Sequence, residues 1–388
     1  MTPPLLEVRD LRVTTAAGDP IVDGVDFDLA AGEALGLAGE SGCGKTTTAL
    51  SLLRLLPGGL RQEGAITLRP PGVEKPINIG RRTERGMGLV RWRHVSLVFQ
   101  GAMNSLDPVQ RIDAQIAEAV RLHERVGARE VRARIADLLG TVGLPASAGQ
   151  RYPHQLSGGQ RQRVMIALAL ACSPSLVIAD EPTTALDVVM QAQVLQLLER
   201  LRQELGLALI LISHDMGVLA ETCDRIAIMY AGRIVESGPV AEVFRSPQHP
   251  YTKRLLDTLP VIGGHRGLSA PIPGAPPNPG ELPEGCRFRP RCFWSCASVN
   301  PGNAALIRSH GAQIRWPGPV DSNGRPHLRQ CRSLASLAGP IRSADCVSLA
   351  CLQNANLTTV STAGCWRRPA RSWPRRPAIP WLSSREFR

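Results

Sequence analysis

The sequence predicts an α/β fold, and three observations carry that prediction. Residues Gly39–Thr46 (GESGCGKT) complete the phosphate-binding pattern G-x-x-x-x-G-K-[ST]. An apolar segment, Glu33–Ala38 (EALGLA), leads into this loop, and Thr46–Leu56 leaves it with the apolar spacing of a helix. Further apolar segments, Val95–Gln100, Leu176–Ala179 and Leu207–Ser213, each run into polar residues, as strands do at the edge where parallel α/β sheets place ligand groups. Strand, glycine loop and helix in this order make a nucleotide site. The glycines let successive N–H groups converge, and Lys45 adds positive charge where the β- and γ-phosphates lie. Thr46 is a Mg²⁺ ligand candidate. Gly39, Glu40, Ser41, Gly42, Cys43, Gly44, Lys45, Thr46 and Thr47 are therefore the candidate nucleotide contacts.

The chain of 388 residues is long enough for about two to three domains. Its longest central apolar run, Leu207–Ile212, falls far short of the roughly 20 residues of a membrane-spanning helix, so a soluble chain is expected. The N-terminus (MTPPLLEV) lacks a basic segment followed by an apolar core, so a cytoplasmic location is expected. The net charge of +12 is uneven. Residues 332–388 hold nine Arg, no Lys and the acids Asp345 and Glu386, a net +7, leaving +5 for residues 1–331. That distribution argues against a nucleic-acid reading of the charge. Ten cysteines in a reducing compartment point to metal binding more than to disulfides.

The elements follow in order. Leu5–Val13 and Ile21–Leu29 alternate apolar and polar around the turn Gly18-Asp19-Pro20 and predict an antiparallel pair. Pro57-Gly58-Gly59 stops the first helix, Ala65–Leu68 reads as another strand, and Pro70–Arg93 reads as an extended surface insertion. Val95–Gln100 is a strand with Gln100 at its tip, a candidate sensor of the nucleotide. Ile112–Leu144 carries an apolar stripe through Ile116, Val120, Val131, Ile135 and Leu139 and predicts a helical insertion. Ser157 caps the predicted helix Arg161–Ala171, and Gly158, Gly159 and Gln160 bare a second anion-binding helix start. Leu176–Ala179 ends in Asp180-Glu181, adjacent carboxylates that suit a metal and a proton-transfer role. Val188–Glu204 is an amphipathic helix, and His214 ends the strand Leu207–Ser213. Arg225–Tyr230 and Arg233–Glu236 form a closing hairpin over Ala231-Gly232.

The order Gly39–Thr46, Gln100, Leu156–Gln160 (in LSGGQRQR), Leu176–Glu181, Asp187 and His214 resembles the ATPase subunits of ABC transporters. GESGCGKTT, VFQGAMNSLDPV, HPYT at His249–Thr252 and GCRFRPRC around Cys286 and Cys292 resemble the oligopeptide/dipeptide/nickel importer group, over about Leu5 to Cys331. The resemblance implies a P-loop NTPase with a RecA-like core, an antiparallel β-subdomain and a helical signature subdomain. It divides the chain into an ATPase domain at 1–248, a C-terminal extension at 249–331 and a basic tail at 332–388 expected to be disordered. Lys45 and Thr46 would hold phosphates and Mg²⁺, Asp180 and Gln100 would serve the metal, Glu181 would be the general base and His214 would contact the γ-phosphate. Ser157, Gly158, Gly159, Gln160 and Asp187 would meet nucleotide across a head-to-tail pair of ATPases. The implied cofactors are ATP and Mg²⁺. The implied partners are transmembrane permease subunits, a second ATPase subunit and, indirectly, an extracytoplasmic solute-binding protein, with no nucleic acid. The implied place is the cytoplasmic face of the inner membrane.

Three departures accompany the resemblance. Thr14 and Thr15 stand where the family usually has an aromatic that stacks on adenine, and Pro70–Arg93 replaces a usually short segment. Cys286, Cys292, Cys296 and Cys331 could hold a four-iron four-sulfur cluster, zinc or nothing, since Cys292 and Cys296 are closer together than the family's pattern. Cys43, Cys172 and Cys223 are assigned no chemistry, and the tail, with Trp366, Trp373 and Trp381 among Arg and Pro, is either a lipid-surface segment or an unstructured extension. The competing function is a non-transport ABC ATPase acting on nucleic acid. A subunit that binds without hydrolysing is disfavoured by the presence of both Glu181 and His214.

Overall fold

Period-two alternation of buried side chains organises the molecule around two sheets. The computed structural model describes residues 3–99, 105–184, 186–259 and 272–292, and the backbone of two strands at 305–309 and 312–316. Strands β1 (Leu6–Thr14), β2 (Pro20–Leu29) and β3 (Ala34–Ala38) lead to helix α1 (Lys45–Leu53), then β4 (Arg61–Leu68), β5 (Ile77–Asn78), α2 (Glu84–Gly88) and β6 (Val95–Val98). Helices α3 (Ile112–His123), α4 (Ala128–Thr141) and α5 (Gly158–Ala169) precede β7 (Leu176–Asp180), α6 (Val188–Leu205), β8 (Ala208–Ile212) and α7 (Met216–Thr222). The hairpin β9 (Arg225–Tyr230) and β10 (Arg233–Pro239), helices α8 (Val240–Arg245) and α9 (Pro250–Asp257), and strands β11 (Ala305–Ser309) and β12 (Ala312–Trp316) complete the order. All of these lie in one unit spanning residues 1–327.

The larger sheet runs β11-β12-β10-β9-β3-β8-β7-β6, parallel from β9 to β6, with the strand before the phosphate loop at its centre. The smaller sheet, β2-β1-β4-β5, is antiparallel, with Leu6 opposite Leu29 on one side and Leu68 on the other. Side chains of the parallel strands divide by parity, as the pleat requires. Leu35, Leu37, Ile178, Ile210 and Ile212 face the antiparallel sheet together with Ala49, Leu52 and Leu53 of α1. Val177, Ala179, Leu209, Leu211 and Ile228 face the helical insertion. The continuous apolar runs of β7 and β8 follow from this burial on both faces.

The expected surface insertion at Pro70–Arg93 is instead partly built into the core. β5 pairs with β4, Thr83 caps α2, and Ile77, Ile79, Met87 and Val90 are buried. Its apolar residues are too sparse to set a period, because β5 makes only two pairs and α2 spans under two turns. The fourth strand also begins earlier than Ala65, at Arg61, because β1 supplies a pairing partner along its whole length.

The HPYT segment has a structural explanation. His249 caps α9 by accepting the Tyr251 N–H at Nδ1 (3.1 Å), and Pro250 occupies the first helical turn, where no N–H is needed. The buried Glu236 carboxylate accepts the N–H groups of Gln248 and His249, both at 2.9 Å. These bonds fix where the Tyr251 ring emerges.

Candidate functional site

The phosphate loop closes on itself around Lys45. The buried ammonium donates to the carbonyls of Gly39 (2.8 Å) and Glu40 (2.9 Å), the curl that its glycines allow. Gly39 has φ +147°, and a Cβ there would stand 2.2 Å from the Met229 carbonyl oxygen. Gly44, at φ 105°, occupies the cap position of α1 with no side chain bonded to the helix N-terminus. The N–H groups of that first turn therefore remain for an anion, which the helix dipole also favours.

Asp180, at the tip of β7, is buried, and its Oδ1 has no hydrogen-bond partner. Burial pushes its pKa up, the Thr46 hydroxyl bonded to it pulls it down, and Glu181 adds repulsion. A buried, unsatisfied carboxylate oxygen beside an exposed Thr46 hydroxyl and the Lys45 ammonium fits Mg²⁺ and a polyphosphate. Hard oxygen donors of this kind are what Mg²⁺ takes.

Glu181 follows in a left-handed backbone conformation, φ +46°, uncommon outside glycine and held by its N–H on the Ile212 carbonyl at 2.9 Å. The strained turn aims its carboxylate along the sheet edge. Oε1 lies 3.2 Å from His214 Nδ1 and Oε2 accepts the Thr184 hydroxyl at 3.0 Å. β8, hydrogen-bonded beside β7, supplies His214 just past its end, so adjacent parallel strands bring this pair together. Gln100, two positions past the end of β6 in sequence, lies outside the described residues.

Ser157 and Gln160 form a reciprocal cap. Ser157 Oγ accepts the Gln160 N–H (3.3 Å) and Gln160 Oε1 accepts the Ser157 N–H (3.1 Å). Ser157 is exposed, Gly158 is half-buried and Gly159 is buried against the methyl end of Met190. Asp187 caps α6, accepting the Met190 N–H at 2.9 Å. Ala185, just before it, lies outside the described residues. At the end of β1, Thr15 accepts the Asp19 N–H at 3.1 Å and donates to its carboxylate at 3.2 Å, closing the β1–β2 turn.

Sequence reasoning missed the residues behind the loop. Arg291 grips both oxygens of Glu40, at 2.6 and 2.9 Å, and the Tyr251 hydroxyl accepts the Glu40 N–H at 2.9 Å. Arg287 joins Arg12 and Arg233 on the Asp23 carboxylate of β2. The buried Phe288 ring packs edge-on against Tyr230 and Tyr251, with centroids at 5.2 and 5.4 Å. The segments HPYT and GCRFRPRC were visible, but no spacing rule says which distant loop they touch.

Of the four cysteines considered for a cluster, Cys286 and Cys292 flank this arginine segment, while Cys296 and Cys331 lie outside the described residues. Among the described residues no group of three or more His, Cys, Asp or Glu is placed to hold a metal. Burial pushes the Cys286 thiol up, opposed by the N–H groups of Phe288 and Arg289.

Comparison with known proteins agrees with this geometry. The family described as ABC transporter matches residues 22–184, and that described as the oligopeptide/dipeptide transporter C-terminal region matches residues 235–295. A peptide import ATP-binding protein of Brucella ovis is 44% identical over 331 residues, covering 81% of this chain and 97% of that protein. A peptide ABC transporter ATP-binding protein of Sinorhizobium fredii is 44% identical over 322 residues, 78% and 93% of the two chains. Among solved structures, cbiO1 of Clostridium perfringens, part of the ABC transporter complex cbiONQ, superposes with a TM-score of 0.55 at 26% identity, covering 63% of this chain and 92% of that one. The dimeric ATP-binding cassette MJ0796, bound to ADP and Pi in a post-hydrolysis state, gives 0.53 at 26% identity, covering 61% and 98%. With two sheets around a phosphate loop, paired carboxylates at a strand tip, and identity that spans nearly the full length of its relatives, this chain belongs to the ATP-binding subunits of ABC transporters, in the oligopeptide/dipeptide group, and is an ATPase.

Proposed function

We propose that the chain hydrolyses ATP to drive uptake of peptides through transmembrane permease subunits that it docks against at the cytoplasmic face of the inner membrane. The observation that carries this reading is the union of a nucleotide loop with an oligopeptide/dipeptide C-terminal region in one folded unit. Among the described residues no helix is long and apolar enough to cross a membrane. Neither nickel nor nucleic acid has a specific observation in its favour.

In this reading Gly39–Thr47 cradle the triphosphate and Lys45 turns from the loop carbonyls toward it. Thr46 and Asp180, with Gln100, would hold Mg²⁺, which would neutralise charge on the triphosphate. Glu181 accepts a proton from the attacking water as the water oxygen bonds to the γ-phosphorus, and ADP leaves with the bridging oxygen. His214, already against Glu181, orients that carboxylate and the γ-phosphate. Ser157, Gly158, Gly159 and Gln160 present a helix N-terminus to ATP on a second ATPase subunit, and Asp187 lies at the same seam. A solute-binding protein acts from the far side of the membrane through the permease. Cys286, Cys292, Cys296 and Cys331 stay candidates for a four-iron four-sulfur cluster, for zinc or for no ligand at all, and the assay below decides among the three.

The test is purification of the full chain from detergent-solubilised membranes, with mass spectrometry of what accompanies it and assay of iron, sulfide and zinc. Two multispanning subunits and a second ATPase are expected. Recovery with nucleic acid and no membrane partner would overturn peptide import while leaving the ATPase intact.

A further inference from the structure

A loop built to bind several negative charges contains one of its own. Glu40 is the second residue of Gly39–Thr46, and its carboxylate would repel a triphosphate if it stood alone. It is paired instead with a residue 251 positions away. Arg291 places Nη1 2.6 Å from Oε2 and Nη2 2.9 Å from Oε1, the two-pronged geometry that a guanidinium alone offers. The pair is shielded: the Arg291 side chain is 5% exposed and that of Glu40 24%.

The remaining donors of Arg291 are also used. Nε donates to the Pro273 carbonyl at 2.8 Å, Nη1 to the Tyr230 hydroxyl at 3.3 Å and Nη2 to the Ile272 carbonyl at 3.4 Å. The guanidinium carbon sits 5.7 Å from the centre of the Tyr230 ring. Five N–H groups thus meet five acceptors, all of them outside its own helical turn and two of them, the Glu40 oxygens, inside the nucleotide loop. Packing for a stable extension does not require this target. Phe288 and the ion pair of Arg287 with Asp23 already anchor the segment to the body. What the Arg291 bonds add is contact with the one acidic side chain of the phosphate loop, on the side away from Glu181.

We infer that Arg291 is a positioning residue for nucleotide binding: it cancels the Glu40 charge, so that the C-terminal region sets the affinity of the phosphate loop for ATP. The nucleotide never touches Arg291. Displacement of residues 272–292 by any partner would expose the Glu40 charge and weaken ATP binding, which makes this segment a handle on the ATPase. The inference rests on nucleotide binding at the loop and is independent of what is transported.

The test measures the affinity of the purified full chain for a fluorescent ATP analogue with Mg²⁺, beside thermal unfolding of the same samples. Arg291→Ala is expected to raise Kd about tenfold, as loss of a shielded charge-assisted pair does. Arg291→Gln, which keeps donors and most of the volume but not the charge, gives the same loss and serves if the alanine variant does not fold. Adding Glu40→Gln to either is expected to bring Kd back to within about threefold of the wild type, because the uncompensated charge is gone. A purely structural role would lower the melting temperature without this recovery. Equal Kd values for wild type and Arg291→Gln, or a double variant as weak as the single, overturns the inference. A wild-type chain that binds no analogue overturns nucleotide binding at the loop and this inference with it.

Discussion

The two sides of the phosphate loop are built to different standards. On the side where the strand tips gather, Glu181 and His214 share one contact of 3.2 Å, His214 is 69% exposed, and the Glu181 backbone is in a left-handed conformation. On the other side, Arg291 and Tyr251 are buried and bonded to Glu40 of the loop, and the buried Phe288 packs against Tyr251. The difference follows from what each side must do. Residues proposed to meet substrate must keep a face open to it, as the exposed His214 does, whereas a loop that must hold its curl needs support that never competes with its ligand.

The largest effect should come from the loose side. Glu181→Gln is expected to lower phosphate release about 1,000-fold while leaving the Kd for the ATP analogue within a few-fold, because a general base acts on the chemical step and the Gln amide is nearly isosteric. Undiminished turnover would remove Glu181 from the role of base. On the rigid side, Phe288→Ala should cost about 3–4 kcal/mol of stability, read by denaturant unfolding, since a fully buried ring leaves a cavity between Tyr230 and Tyr251. The comparison predicts a second consequence: the same variant weakens ATP binding, through Arg291 three residues on. Intact affinity beside lost stability would separate the C-terminal region from the loop.

Acid sharpens the contrast further, because the rigid side hides a titratable group. Burial pushes the His249 pKa down to about 4, so the ring stays neutral in the folded chain while it takes up a proton near pH 6.5 when unfolded. Between those values the unfolded state binds more protons, and stability falls as pH falls, by up to about 3 kcal/mol at pH 4. His249→Asn keeps an acceptor for the Tyr251 N–H and cannot titrate. The gap between the two unfolding free energies should therefore change with pH across this window and level off above it. The neighbouring Glu236 carboxyl, raised by burial, acts in the opposite direction but equally in both proteins, so it cancels in the difference. A pH-independent gap would show that His249 is not held neutral.

The loose side was legible in the sequence and the rigid side was not, and the reason is physical. Gly39–Thr46, Asp180, Glu181 and His214 are adjacent to the strands that position them, so local pattern places them at one sheet edge before any tertiary contact is known. The helices α3, α4 and α6 were legible for the same reason, each carrying its own apolar stripe. The bonds from Arg291 to Glu40 and from Arg287 to Asp23 join residues 251 and 264 positions apart, and no periodicity encodes such a pairing. Pro70–Arg93 was misread because its buried residues are scattered: Ile77, Ile79, Met87 and Val90 acquire a common face only once β4 is there to receive them. The family's stacking aromatic has no substitute in Thr15, whose hydroxyl bonds to Asp19 and closes a turn, while Thr14 pairs with Pro20 and Arg61 as the end of β1.

The smallest expected effect tests two helix starts that the sequence presents as equivalent. α1 begins at Gly44 with no side-chain cap, and α5 begins at Ser157 with a complete one. An uncapped start leaves its first N–H groups open to an anion, whereas the α5 start satisfies itself through Ser157 and Gln160. Ser157→Ala should then cost about 1 kcal/mol in the isolated chain, a cap's worth, visible as a melting shift of a few degrees. Hydrolysis should respond by much more than this, and increasingly so at protein concentrations where chains pair, if the proposed role of the same hydroxyl toward ATP on a facing subunit holds. If the loss of hydrolysis does not depend on concentration, Ser157 is only a cap, and the two helix starts differ in architecture without differing in role.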